Sequence, residues 1–268
     1  MTSEVFAPAK INLTLHVTGQ RADGYHLLDS LVVFADVGDL LTITPASTLS
    51  LKVTGTFAKG VPEDASNLVW QAAELAGLTA HISLKKNLPH GAGIGGGSSD
   101  AGAVLRHCDH AKSAARLGAD VPACLTPHAQ RMRGIGDQLD LLSGLPVLHA
   151  VLVNPNVHLP TSDVFRGLPG KQNPPMPATL PPHSNAHSFT KWLSTMRNDL
   201  ETAAIAIAPQ VSDVLAKIRA TPDVALARMS GSGATCFGLY DTEKQAHSAA
   251  RMLGMQNPDW WVRSTQLS

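Results

Sequence analysis

Six glycines lie between Gly91 and Gly102 in the stretch Asn87–Gly102, NLPHGAGIGGGSSDAG, which then runs on into helix-forming residues. Glycine in an ordered loop costs chain entropy, so such a cluster marks unusual backbone angles or the close approach of another group. The flanks argue against a flexible linker. "HISL" before it alternates like a strand, and "SSDAGAVLRHCDHAKSAARLG" after it reads as a helix with Ser98 or Ser99 as N-cap. Strand, glycine loop and helix start together suit an anion. Unpaired N–H groups of the first turn and the positive end of the helix dipole attract it, and bare backbone lets it come close. The expected chemistry is phosphate binding by Pro89, His90, Gly91, Ala92, Gly93, Ile94, Gly95, Gly96, Gly97, Ser98 and Ser99.

Three common phosphate motifs do not fit. Gly91, Gly93 and Gly96 satisfy G-x-G-x-x-G, but the acidic residue about twenty positions on should end a second strand. The nearest candidate, Asp120, instead follows a helical run in "RLGADVP". A Walker A loop needs a lysine after its last glycine, and Gly97 is followed by Ser98 and Ser99. H-R-D and D-F-G of the protein kinases are absent. A second glycine turn, Gly231, Ser232 and Gly233, reads either as a hairpin or as a further set of amides facing a phosphate.

Around these residues the elements read as follows. Val5, Ala7, Ala9, Ile11, Leu13, Leu15 and Val17 alternate with Lys10, Asn12, Thr14 and His16, predicting one strand with Lys10 and Asn12 on a shared face. Asp23 and Gly24 signal a turn, followed by strands in "LLDSLVVFADV" and "DLLTITP", another in "LSLKVTG", and a helix in "SNLVWQAAELAGL" capped by Ser66 or Asn67. "LHAVLVNP" predicts a central strand. Six prolines from Pro169 to Pro182 predict an exposed irregular loop. Two helices broken at Pro209, a strand–glycine turn–strand around 225–241, the helix "TEKQAHSAARML" and a last strand at "WWVRST" complete an α+β order. The expected division is 1–149 and 150–268.

The 268 residues carry 21 Lys plus Arg against 21 Asp plus Glu, so neither a nucleic-acid nor a membrane partner is expected. No basic, apolar leader opens the chain, which is expected to be cytoplasmic. Cys108, Cys124 and Cys236 are isolated, and the 12 histidines show no ligand spacing, so no metal is assigned to protein side chains.

"PAKINL" at 8–13, "GIGGGSSDA" at 93–101 and "SGSGATCF" at 230–237 resemble, in this order, the three motifs of the GHMP small-molecule kinases. That resemblance implies a two-domain α+β fold, ribosomal protein S5 domain 2-like at the N-terminal end and ferredoxin-like at the C-terminal end. It also implies ATP as phosphoryl donor, with Mg2+ carried on it. "DGYH" at 23–26, "LGADVP" at 117–122 and "ARMSGSGATCF" are similar to the branch whose acceptor is the 2-hydroxyl of a methylerythritol bearing a cytidine diphosphate group. By this resemblance Lys10 and Asp120 are catalytic, Asn12 orients the acceptor, Tyr25 stacks on the cytosine and His26 reads its edge. Gly231, Ser232 and Gly233 face the substrate's phosphates, and one of Ser98 and Ser99 reaches a phosphate or Mg2+. A monomer or homodimer is expected. The alternatives are another GHMP kinase, or a member that binds without turnover. The chain departs from the pattern in two places: the segment from Ser99 to Asp120 is short by roughly three or four turns of about 3.6 residues, and Pro127 stands where the family often has glycine.

Overall fold

The computed structural model describes residues 1–180 and 185–268; Pro181 and Pro182 of the proline-rich segment lie outside them. In chain order the elements are β1 (Ser3–Asn12), β2 (His16–Gln20), β3 (His26–Pro45), β4 (Ser50–Thr54), α1 (Leu68–Leu75), β5 (Ala80–Lys85) and α2 (Gly96–His107). A 3-10 turn (Ala114–Arg116) leads to α3 (Val121–Leu125), β6 (Gln130–Gly134), β7 (Gln138–Leu141) and β8 (Leu148–Asn154). Then come α4 (Thr161–Arg166), α5 (Ala186–Leu193), α6 (Glu201–Ile207), α7 (Gln210–Arg219), β9 (Leu226–Met229), β10 (Cys236–Tyr240), α8 (Glu243–Gln256) and β11 (Trp261–Leu267).

Two compact units are distinguished. The first comprises Met1–Lys10, Val37–His90 and Gly95–Pro127. In it β5 pairs antiparallel with the end of β3, Leu40 opposite Lys85, and parallel with β4. The alternating apolar residues Leu41, Ile43, Ile82 and Leu84 bury one sheet face under α1 and α2, which supply Val69, Ala72, Ala101 and Val104. Asn67 caps α1, its side chain accepting from the Val69 N–H.

The second unit comprises Ile11–Asp36, Gly91–Ile94 and His128–Ser268. β8 lies between β10 and β11, antiparallel to both, and its residues Ala150 to Val153 are fully buried, which is why it reads as a continuous apolar run. β9 extends the sheet beyond β10, and α6, α7 and α8 contribute Ala204, Leu215 and Leu253 to its core.

Three expectations from the sequence are corrected here. The alternation from Val5 to Val17 is two strands: the chain leaves β1 after Asn12, and Leu15 forms an isolated bridge to Asn198 before β2 begins. Hydrophobic period is the same on both sides of such a break, so the pattern does not reveal it. The two strands expected between 27 and 45 are the single β3. The helix expected over 98–118 ends at His107, and Asp109 and Ser113 adopt positive φ before the 3-10 turn.

Candidate active site

In the first unit the Lys10 side chain is almost wholly buried and its Nζ lies 3.0 Å from Oδ1 of Asp120. Asp120 occupies the N-cap position of α3, yet its carboxylate caps no backbone group there. What holds it in place is the packing of α3 on α2. A Cβ on Gly102 would come within 2.9 Å of the Cys124 carbonyl oxygen, so only glycine allows this approach. One Arg106 guanidinium donates both to that carbonyl and, at 2.7 Å, to the Phe6 carbonyl on β1, tying α3 to the strand that carries Lys10. The abbreviated segment before Asp120 therefore still brings the carboxylate to the lysine. Gly102→Ala should destabilise the fold by about 1–3 kcal/mol through overpacking and lower kcat more than it raises KM for ATP. Thermal melts combined with steady-state kinetics check this, and equal effects on all three would contradict it.

The glycine loop enters α2 at Gly95, which has φ +62° and caps the helix without any side chain. Ser98 and Ser99 are inside the helix, which corrects the expected serine cap; the left-handed glycine makes the turn in their place. Ser99 is fully buried and its Oγ has no hydrogen-bond partner among the described residues. Gly95 also passes close to Lys10, since a Cβ there would sit 3.1 Å from Cε and 3.2 Å from Cβ of the lysine. An N-terminus without a side-chain cap, entered through the positive-φ Gly95, fits a phosphate group. Among the described residues no cluster of three His, Cys, Asp or Glu side chains could hold a metal ion.

In the second unit the residues Gly91–Ile94 lie against the turn at 230–235. Thr235 N–H donates to Ala92 O at 3.1 Å, Ser230 Oγ to Gly93 O at 3.1 Å, and Asn12 N–H to Ser230 Oγ at 3.1 Å. A Cβ on Gly93 would be 2.6 Å from the nitrogen and oxygen of Gly233 and from Ser230 O; one on Gly231 would be 2.6 Å from Gly93 O. Backbone-on-backbone packing thus accounts for these glycines. Ser232 Oγ lies 2.8 Å from Thr161 Oγ1. The Asn12 amide is oriented by donation to Ser30 Oγ at 2.7 Å. Pro89, Ala92 and Ile94 are buried packing residues, whereas His90 and Gly97 are exposed.

The Asp23 and Gly24 turn forms as expected, closing β2 onto β3 with Gln20 opposite His26. Tyr25 is 58% exposed at its end. The His26 ring stacks on Phe165, centroids 4.9 Å apart, and its Nε2 is buried with no partner among the described residues. Burial, and then the charge of Lys171, hold its pKa below the ordinary imidazole value, so the ring is neutral at neutral pH.

Residues 67–128 match the family model of the GHMP kinases N-terminal domain, and residues 183–258 that of the GHMP kinases C-terminal domain. A protein of Dinoroseobacter shibae named 4-diphosphocytidyl-2-C-methyl-D-erythritol kinase is 57% identical, over 98% of this chain and 94% of its own length. The chain belongs to this family of GHMP kinases. A Paracoccus denitrificans member with the same name is 52% identical over 98% of the chain and 96% of its own. The crystal structure of a 4-(cytidine 5'-diphospho)-2C-methyl-D-erythritol kinase superposes with a TM-score of 0.79 at 32% identity, covering 99% of both chains. A mevalonate kinase from L. major, 12% identical with a TM-score of 0.66 over 100% of this chain and 96% of its own, shares the GHMP fold. No helix among the described residues is long and apolar enough to cross a membrane.

Against the family pattern, the structure brings Lys10, Gly95 and Asp120 together in the first unit, and Asn12, Gly93 and Gly231 together in the second. Tyr25 and His26 are consecutive residues at the hairpin of the second unit. Sequence reasoning missed Phe165, Arg106 and the buried trio Asp39, Lys86 and Asp100. Only Asp100 gave a signal, as the acid ending "GGGSSD"; the others depend on contacts across 14 to 139 positions that no local pattern encodes.

Proposed function

We propose that this chain transfers the γ-phosphoryl group of ATP to the 2-hydroxyl of 4-diphosphocytidyl-2-C-methyl-D-erythritol, a step in non-mevalonate isoprenoid precursor synthesis. The observation that carries the reading is the ion pair between the buried Lys10 and the partly exposed Asp120, with the Gly95 turn packed against the lysine. The acceptor oxygen forms a bond to the γ-phosphorus while the bond from that phosphorus to the β,γ-bridging oxygen breaks, releasing ADP. Asp120 orients the hydroxyl and takes its proton, and Lys10 stabilises negative charge developing on the transferred group. Main-chain N–H groups of the glycine loop and of the α2 terminus hold the ATP phosphates. Magnesium, arriving with ATP, would neutralise phosphate charge, and one of Ser98 and Ser99 would hold it.

The exposed Tyr25 ring offers a stacking face for the cytosine, and His26, the next residue, is the polar group assigned to its edge. ADP release measured with this acceptor, with homoserine, with mevalonate and with none separates this reading from another GHMP kinase and from a member without turnover. His26→Ala should raise KM for the cytidine substrate by the equivalent of about 1–3 kcal/mol while leaving the ATP dissociation constant unchanged. Equal loss for both ligands would assign the histidine to hairpin packing.

A further inference from the structure

The first unit holds a cluster of three charged side chains, each at most 3% exposed: Asp39 on β3, Lys86 just after β5, and Asp100 in the second turn of α2. Lys86 Nζ donates to Asp39 Oδ2 and, at 2.7 Å, to Asp100 Oδ2. The other Asp39 oxygen accepts the backbone N–H groups of Asn87 at 2.6 Å and Leu88 at 2.9 Å, the residues that lead into the loop. At the loop's far end a Cβ on Gly96 would be 3.5 Å from the same Lys86 ammonium. The cluster therefore grips the chain just before the loop and the helix just after it.

Burying three charges costs desolvation that apolar residues of the same volume would avoid, so stability alone does not account for the trio. Directed ionic hydrogen bonds, unlike apolar contacts, fix one geometry. We propose that Asp39, Lys86 and Asp100 are positioning residues that preorganise the glycine loop for the phosphates of ATP. The proposal rests on the reading of that loop as the ATP phosphate site.

Two carboxylates face one ammonium. Burial pushes Asp100 up to about 7, more than the attraction of Lys86 pulls it down, and Asp39 adds to the rise. Burial lowers the Lys86 pKa, but its two carboxylates outweigh that and hold the ammonium above its ordinary value. From α3 the cluster is faced by Cys124, whose thiol burial raises to about 12 and which stays neutral. A carboxyl group with a raised native pKa stabilises the fold below its unfolded value and loses that contribution as pH rises to about 7. The melting temperature should therefore fall from pH 5 to pH 8 in the native chain, and fall less in Asp100→Asn.

The deciding variant is Lys86→Met with Asp39→Asn and Asp100→Asn, which removes all three charges together and leaves no buried ion unpaired. It should fold, with the ATP dissociation constant and the KM for ATP raised by about tenfold or more, and the KM for the cytidine acceptor changed by less than about twofold. ATP binding is measured directly by calorimetry, without acceptor. A folded triple variant that binds ATP as the native chain does would overturn the proposal, as would equal changes in both KM values. If the native chain binds ATP more tightly than the variant but does not turn over the cytidine acceptor, the cluster stands and the acceptor assignment fails.

Discussion

Lys10→Ala and Asp120→Asn should each lower kcat by about 10²-fold or more with the ATP dissociation constant largely kept. The reason is geometric. The two side chains meet at 3.0 Å, one buried and the other partly open, so the carboxylate reaches outward from a fixed charge beneath it. Removing the lysine takes away the stabilisation of developing charge and the ion-pair partner of Asp120; removing the carboxylate leaves the acceptor hydroxyl unoriented. Residues that act as a unit are not additive, so the double variant should be far less than multiplicatively worse than either single one. Single-turnover rates at saturating ATP, measured for all four proteins, give the coupling directly. Fully multiplicative losses would assign independent roles, and an Asp120→Asn enzyme of native rate would remove that residue from the mechanism.

Gly93→Ala and Gly95→Ala should fail in different ways, although the two glycines are separated by one residue and both have positive φ. At Gly93 the new methyl meets three backbone atoms at 2.6 Å, and none of them can swing aside. Left-handed strain and overpacking each cost about 1–3 kcal/mol, so a loss of about 3 kcal/mol or more is expected. The bonds from Ser230 and Thr235 to the loop should go with it. At Gly95 the methyl meets the flexible Lys10 side chain at 3.1 Å, which can move. The stability loss there should be only about 1–2 kcal/mol, while kcat falls because the amine is displaced from Asp120. Denaturant midpoints with kcat for both variants decide it. Equal stability losses, or a Gly95→Ala enzyme of full kcat, would show that the loop does not seat the lysine.

The reading of the glycine loop as an anion site needed only local information: glycine spacing, a strand before and a helix after, all within about twenty residues of chain. The same holds for the Asn67 cap, the Asp23 and Gly24 hairpin, the apolar β8 and the break at Pro209, because turn chemistry and hydrophobic period act between near neighbours. Family membership was legible for a related reason, since five short motifs in fixed order stand in the chain as written. Burial of the polar side was not legible. Alternation marks two faces of a strand but not which is covered, and Lys10, Asn12 and His16, which read as a polar face, are all buried. Nor could spacing show that Gly95 and not a serine turns the chain into α2, because cap choice depends on φ set by surrounding packing. Tertiary structure alone brought Asp120 to Lys10 across 110 positions, Arg106 to Phe6 across 100, and Asp39 to Lys86 across 47. Such pairs are selected by how helices and strands pack, and a charge several dozen residues away leaves no trace in the local pattern that would name its partner.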